Sequence, residues 1–415
     1  MPAINSHVVV EIAKDCAKHH PDLFIVYLGN NEVTGPYGAG TVFTPLARHR
    51  FLIRAGVALR TMRLGQMLTQ LLEWAQARKD RPTEWHGLAM FLKNQVPATD
   101  ERLQSVYAHF EDNLKTIIRI ATGSESKIIL CTVGSSLKDC APFASLHRPN
   151  LGEAAKEKWE ALYQQGVSQE TARNYDDAVK HYLAACEIDS SYADLQFRLG
   201  RCYWALAEYE KARERYIQAR QLDTLRFRAD TRINEIIRAS ACDRVEEGVY
   251  LVDAVKTFEK NSPHDTPGEE LFYEHVHMNF TGNYLLAKAL YEQVHDVLPQ
   301  GIKSQKADES PLLTEAQCAE RLAYTDWAQY NNAYKILNFY VKEPPFTNQP
   351  YHEERVRQME TRLKALEANL TPQVLKDTAD LYQQLLKKDP SDIWLRWRYA
   401  ELLSVHLKDE PAATE

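Results

Sequence analysis

Three short apolar runs stand out from a chain whose other segments place apolar residues at helical spacing. Residues 22–28 (DLFIVYL), 127–133 (KIILCTV) and 249–255 (VYLVDAV) are continuous in apolar character and rich in branched side chains. That pattern predicts strands buried on both faces of a parallel sheet. Between them the periodicity changes. Residues 6–20 put Val9, Ile12, Ala13 and Cys16 on one face, with Ser6 as a helix N-cap and Pro21 as the stop. Helical patterns also cover 48–77, 100–121 and 281–298, and residues 312–408 read as helices. A loop rich in Gly, Asn and Pro (GNNEVTGPYGAG) follows the first strand, and a polar loop follows the third. Strands separated by helical crossovers predict an α/β fold with a parallel sheet.

Between the second and third strands the chain repeats itself. At an offset of 34 residues Gly166 matches Gly200, Tyr175 matches Tyr209, Ala178 matches Ala212, Tyr182 matches Tyr216, Ala185 matches Ala219 and Asp189 matches Asp223. Small residues at fixed places let paired helices approach, and the aromatics fill the space between them. The period and pattern resemble tetratricopeptide repeats, with Ser190 and Thr224 where such a repeat often closes with Pro. Near the end, residues 379–403 resemble the second helix of one repeat joined through Asp389 and Pro390 to the first helix of another. The expected organisation is an α/β part over 1–150, helical repeats inserted over 155–240, the α/β part resumed over 245–300, and a helical region over 312–415.

Composition narrows the function. With 44% apolar residues and a formal charge of -7 over 415 residues, the chain predicts globular domains and offers no basic face for nucleic acid. No apolar run reaches the roughly 18 residues of a membrane helix, and the first 20 residues lack a signal-peptide layout. No membrane segment is predicted, and the compartment stays open. The seven cysteines are odd in number and scattered, without a C-x-x-C pair, so they read as reduced thiols.

Two polar motifs each follow an apolar run: Gly29-Asn30-Asn31-Glu32, and Glu274-His275-Val276-His277-Met278-Asn279 before the helix at 281. In open parallel sheets ligands bind at the carboxyl ends of strands, so both motifs are expected at one crevice. Taken alone, the Asn pair reads as a tight turn, and His275 with His277 reads as a solvated loop in preference to a metal site. Together, in this order, they resemble the SGNH (GDSL-like) hydrolase superfamily, whose third block is Gly-x-Asn-Asp/Glu and whose last is Asp-x-x-His. Gly29, Asn31 and Glu32 match the first; Glu274, in place of Asp, and His277 match the second. The resemblance of GNNEVTGPYG and EHVHMNFTGN to large repeat-containing bacterial members is closer than that of the generic blocks.

The resemblance implies a flavodoxin-like parallel sheet, an oxyanion donor in Asn31, a general base in His277 and an orienting carboxylate in Glu274. It implies no cofactor and no metal. Such a donor is worth roughly 3–4 kcal/mol, and His titrates near neutral pH. The superfamily's nucleophile lies in a Gly-x-Ser turn upstream of the Gly-x-Asn block. Here 28 residues precede Gly29 and they hold one serine, Ser6, read above as a cap. The sheet is therefore expected to be incomplete, with Met1 an internal methionine of a longer protein and residues 22–28 an open apolar edge. Two functions follow as expectations. One is a remnant of a serine ester hydrolase or acyl transferase acting on a small acyl ester. The other is a catalytically silent scaffold whose repeats bind a protein or peptide.

Overall fold

The computed structural model describes residues 4–42, 67, 87–303 and 312–407. The helix expected over 48–77 lies outside these residues, Met67 apart. Most of the described chain is helical, built around a three-stranded parallel sheet. No described helix is long and apolar enough to cross a membrane. The chain divides into two compact units, residues 1–298 with 348–350, and residues 299–347 with 351–415.

In the first unit, β1 (Leu23–Tyr27), β2 (Lys127–Cys131) and β3 (Val249–Val252) lie in the order β1-β2-β3. Leu23 pairs with Lys127, and Ile128 with Val249. The middle strand is buried as expected, with Ile128 and Ile129 fully covered. The first strand is not buried on both faces: Ile25 keeps 49% of its surface. Among the described residues it pairs with β2 alone, and the face carrying Ile25 lacks the cover that the apolar run predicted.

Helices cover both faces of the sheet. On one, α1 (Ser6–Ala17), α2 (Arg102–Gly123) and a later helix, α7 (Thr231–Ala241), bring Val10, Phe110, Ile117 and Ile233 onto Phe24, Val26, Ile128 and Leu130. On the other, Ile129, Cys131 and Val252 meet Leu290 and Val294 of α9 (Phe280–Val297). The loop expected after β3 holds a short helix, α8 (Ala254–Lys260). Asp253 starts it by accepting from the Lys256 N–H, so a residue that the sequence placed inside a strand acts as a cap.

Ser6 is also corrected. Asn5 holds the N-cap position of α1 without a capping bond from its side chain, whose amide donates instead to the Pro36 carbonyl at 2.7 Å, and Ser6 is the first helical residue. Its hydroxyl donates at 2.7 Å to the buried Glu32 carboxylate and accepts at 3.0 Å from Asn113. The capping pattern could not reveal a bond to a residue 26 positions away.

Four helices fill the stretch between β2 and α7: α3 (Glu153–Thr171), α4 (Tyr175–Ile188), α5 (Ala193–Ala205) and α6 (Tyr209–Leu222). They form two hairpins with the 34-residue spacing. A Cβ on Gly166 would collide with the Tyr182 ring, and one on Gly200 would sit 2.8 Å from the Tyr216 ring. Ala178, Ala185, Ala212 and Ala219 are all buried. The repeated aspartates do a second job. Asp189 accepts from the Arg148 N–H, and Asp223 from the Phe143 and Ala144 N–H groups, so both hairpins are tied to the segment leaving β2.

Residues 223–230 complete the attachment. Buried Arg228 donates to the Ser136 and Cys140 carbonyls and pairs with Asp223. Buried Arg226 donates to the Val96 carbonyl and pairs with Asp230. The Ala229 N–H reaches Asn30 in the turn after β1.

The second unit contains α10 (Glu315–Arg321), α11 (Asp326–Ile336), α12 (His352–Asn369), α13 (Pro372–Lys388) and α14 (Ile393–Leu402). Its core gathers Trp327, Tyr382, Leu395 and Leu402. All seven cysteines are free thiols; burial pushes Cys131 and Cys202 up to about 12.

Candidate functional site

The site is built on the carboxyl ends of the strands. β1 runs into Gly29, which lies so close to its neighbours that a Cβ would stand 2.9 Å from Ile233 and 3.0 Å from Val133. Any side chain here would push the turn off the end of β2. Asn30 accepts from the Ala229 N–H at 3.0 Å, and the Asn31 amide donates to the Ile4 carbonyl at 3.0 Å. Glu32 turns inward, accepting from the Ser6 N–H at 2.8 Å as well as from its hydroxyl. Burial pushes its carboxyl up to about 7, against the two Ser6 bonds that favour the charged form.

A buried polar cluster continues from there. The Asn113 amide faces His7 Nδ1 at 3.2 Å, and the His7 ring stands edge-on to Tyr37 and His109, each 5.5 Å away.

β2 ends in Val133-Gly134-Ser135-Ser136. Asn234 holds the Val133 N–H at 2.7 Å and its carbonyl at 3.0 Å. Ser135 and Ser136 are buried, and among the described residues their hydroxyls have no partner. The Ser136 N–H donates to the His275 carbonyl at 2.9 Å, docking the second motif against the end of β2.

That motif is a tight loop. Phe272 and Met278 bridge antiparallel, and Asn279 caps α9 by accepting from the Gly282 N–H. Its centre is the fully buried Glu274 carboxylate. One oxygen accepts from the His275 N–H at 2.6 Å and faces the same residue's Nδ1; the other accepts from the His277 N–H at 2.8 Å and likewise faces Nδ1 of His277. His275 is buried, edge-on to Phe143 at 5.3 Å. The His277 side chain keeps 54% of its surface. Partial burial holds the His277 pKa below the ordinary histidine value.

With a proton on Nδ1, held by Glu274, the His277 ring presents its Nε2 lone pair outward, the arrangement of an oriented general base. Of the residues expected at the site, Glu274 and His277 come into direct contact. Gly29 and the histidine loop meet the same segment, Val133 to Ser136. The Asn31 side chain makes its bond to Ile4 and none to Glu274 or His277.

Sequence reasoning read His275 as part of a solvated loop, whereas it is buried against Glu274 and Phe143, and passed over the two serines. The Gly-Ser-Ser step directly after a buried run was the available signal, since small residues there admit close approach. The sequence also assigned no metal, yet one donor atom from each of Glu274, His275 and His277 lie within 4.8 Å of one another. Neither a protein-family model nor a curated protein matches this chain.

Proposed function

We propose that this chain carries the base-bearing part of an SGNH-type ester hydrolase or acyl transferase, its flavodoxin-like sheet interrupted by tetratricopeptide-type hairpins. The observation that carries this reading is the grip of buried Glu274 on Nδ1 of an exposed His277, at the carboxyl end of a parallel sheet. A carboxylate so placed fixes the imidazole's tautomer and stabilises the imidazolium formed when it takes a proton from a hydroxyl. Gly29 and Asn31 supply the turn and the oxyanion donor in this reading, and a small acyl ester is the substrate. The nucleophile is not Ser6, whose hydroxyl is sealed against Glu32 and Asn113.

The chain alone should therefore show no turnover of short-chain aryl esters and no labelling by a fluorophosphonate probe. A longer chain bringing a Gly-x-Ser turn to the sheet should gain both, and His277→Ala should then lose most of the rate enhancement, roughly 10³-fold or more, with the fold intact. Full turnover in that variant, or labelling of Ser6, would sink the assignment.

One observation favours a second reading, a silent scaffold that binds a peptide through its hairpins: Asn31 already gives its amide to Ile4. In that case the longer chain stays inert.

A further inference from the structure

The base reading needs one histidine on Glu274, and the loop supplies two. His275 is buried, contributes nothing to a proton transfer at the surface, and still turns its Nδ1 onto the same carboxylate that holds His277. Both carboxylate oxygens already accept a backbone N–H, at 2.6 and 2.8 Å, from the residues that also bring the rings. The loop thus fixes a carboxylate by its own amides and then directs two imidazole nitrogens at it. At contact distance each nitrogen faces the carboxylate as N–H, and an ion can take the same three donors once the rings turn their lone pairs off the oxygens.

We propose that Glu274, His275 and His277 form a Zn²⁺ site, and that zinc there switches the base off. Two imidazoles and a carboxylate are the donor set that zinc takes in sites with one coordination position left open. Imidazole favours zinc over magnesium or calcium, which take oxygen donors. Zinc binds such donors at about 2.0–2.2 Å, so in a tetrahedral site two donors lie roughly 3.4 Å apart. The three here lie within 4.8 Å of one another, and rotation of the exposed His277 side chain is the movement that brings them to that spacing. The outer shell is already in place, because backbone amides orient the carboxylate and Phe143 flanks the His275 ring at 5.3 Å. His277 leaves the open position toward solvent.

The switching follows from sharing. Nδ1 of His277 bonds either the Glu274 oxygen through a proton or the ion directly, and in the second state Glu274 no longer stabilises an imidazolium. This consequence rests on the hydrolase reading; zinc binding itself does not.

The test is titration of the whole metal-free chain with ZnCl₂ by calorimetry, with elemental analysis after dialysis. One zinc per chain is expected at this site. His275→Ala and His277→Ala should each weaken binding by more than the roughly 10–100-fold that loss of an outer-shell partner costs. Since His277 is exposed, its variant keeps the fold, and circular dichroism checks both. Zinc should also protect His277 from modification by diethyl pyrocarbonate. Absence of binding, or binding that survives both substitutions, overturns the inference and leaves the hydrolase reading untouched. Zinc binding without turnover in any longer, metal-free chain sinks the hydrolase reading and leaves the metal site standing.

Discussion

The turn between α4 and α5 and the turn between α13 and α14 are nearly the same object, 200 residues apart and in different compact units. Asp189 accepts from the Ser191 N–H at 3.0 Å and its hydroxyl at 2.6 Å; Asp389 accepts from Ser391 at the same two distances. Tyr182 and Tyr382 are both fully buried one helix before the turn, and Leu195 and Leu395 are both buried after it. The outer faces then part company. Ala193 and Phe197 are 0% and 3% exposed, whereas their counterparts Ile393 and Trp397 are 68% and 54% exposed. Phe197 meets the Tyr216 ring of α6 at 5.3 Å, while Trp397 lies under the Lys335 ammonium at 4.4 Å. Local sequence writes the turn; a neighbouring helix decides what the next face means.

The largest expected effect tests that difference directly. Phe197→Ala should destabilise by about 3–5 kcal/mol in urea unfolding, as for other buried aromatics, and Trp397→Ala by about 0.5 kcal/mol. Equal losses would break the comparison.

Next come the helix contacts. Gly166→Ala drives a methyl into the Tyr182 ring and should cost about 1–3 kcal/mol. Ala400, the counterpart of Gly200, is only partly buried, so Ala400→Gly should cost no more than helix propensity, about 1 kcal/mol.

The smallest effect concerns the aspartates, and it depends on pH. Burial alone would raise the Asp189 pKa, but bonds from Ser191, Arg148 and His147 outweigh it and hold the carboxyl below its usual value. Its folded pKa is thus depressed, so its stabilisation is present above the unfolded value near 3.9 and is lost as pH falls through the folded value. Asp189→Ala should cost about 1–2 kcal/mol at pH 7, leaving the Arg148 N–H unpaired, with the gap closing in acid melts. Asp389, exposed and bonded among the described residues to Ser391, should give a smaller gap. A larger one would show that the attachment of the first hairpin adds nothing.

The two turns also mark how far the sequence could be read. Periodicity recovered the three strands, and the 34-residue spacing recovered both hairpins, with Gly166 at a helix contact as expected. Each is a short-range or strictly repeated pattern. An open edge at residues 22–28 was expected, but the exposure of Ile25 on a sheet face was not, because an apolar run does not say whether a helix packs over each face. Ser6 was misread because its partner Glu32 comes from another element, and Arg226 and Arg228 look like any exposed pair in a connecting stretch. At the site, the resemblance of the motif suggested Glu274 with His277, while the part of His275 required the folded loop, which sets two imidazoles on one carboxylate.

The stretch from Asp223 to Asp230 makes the hairpins hard to exchange. Excising them along with it would strand the Phe143 and Ala144 amides, the carbonyls of Val96, Ser136 and Cys140, and the Asn30 side chain, of which Ser136 and Asn30 belong to the segments that build the candidate site. A foreign insert would have to bring its own matched pair of buried guanidinium groups. The helices could therefore be lengthened or restyled more easily than the eight residues that follow them could be replaced, since those eight are bonded into the segments around the sheet.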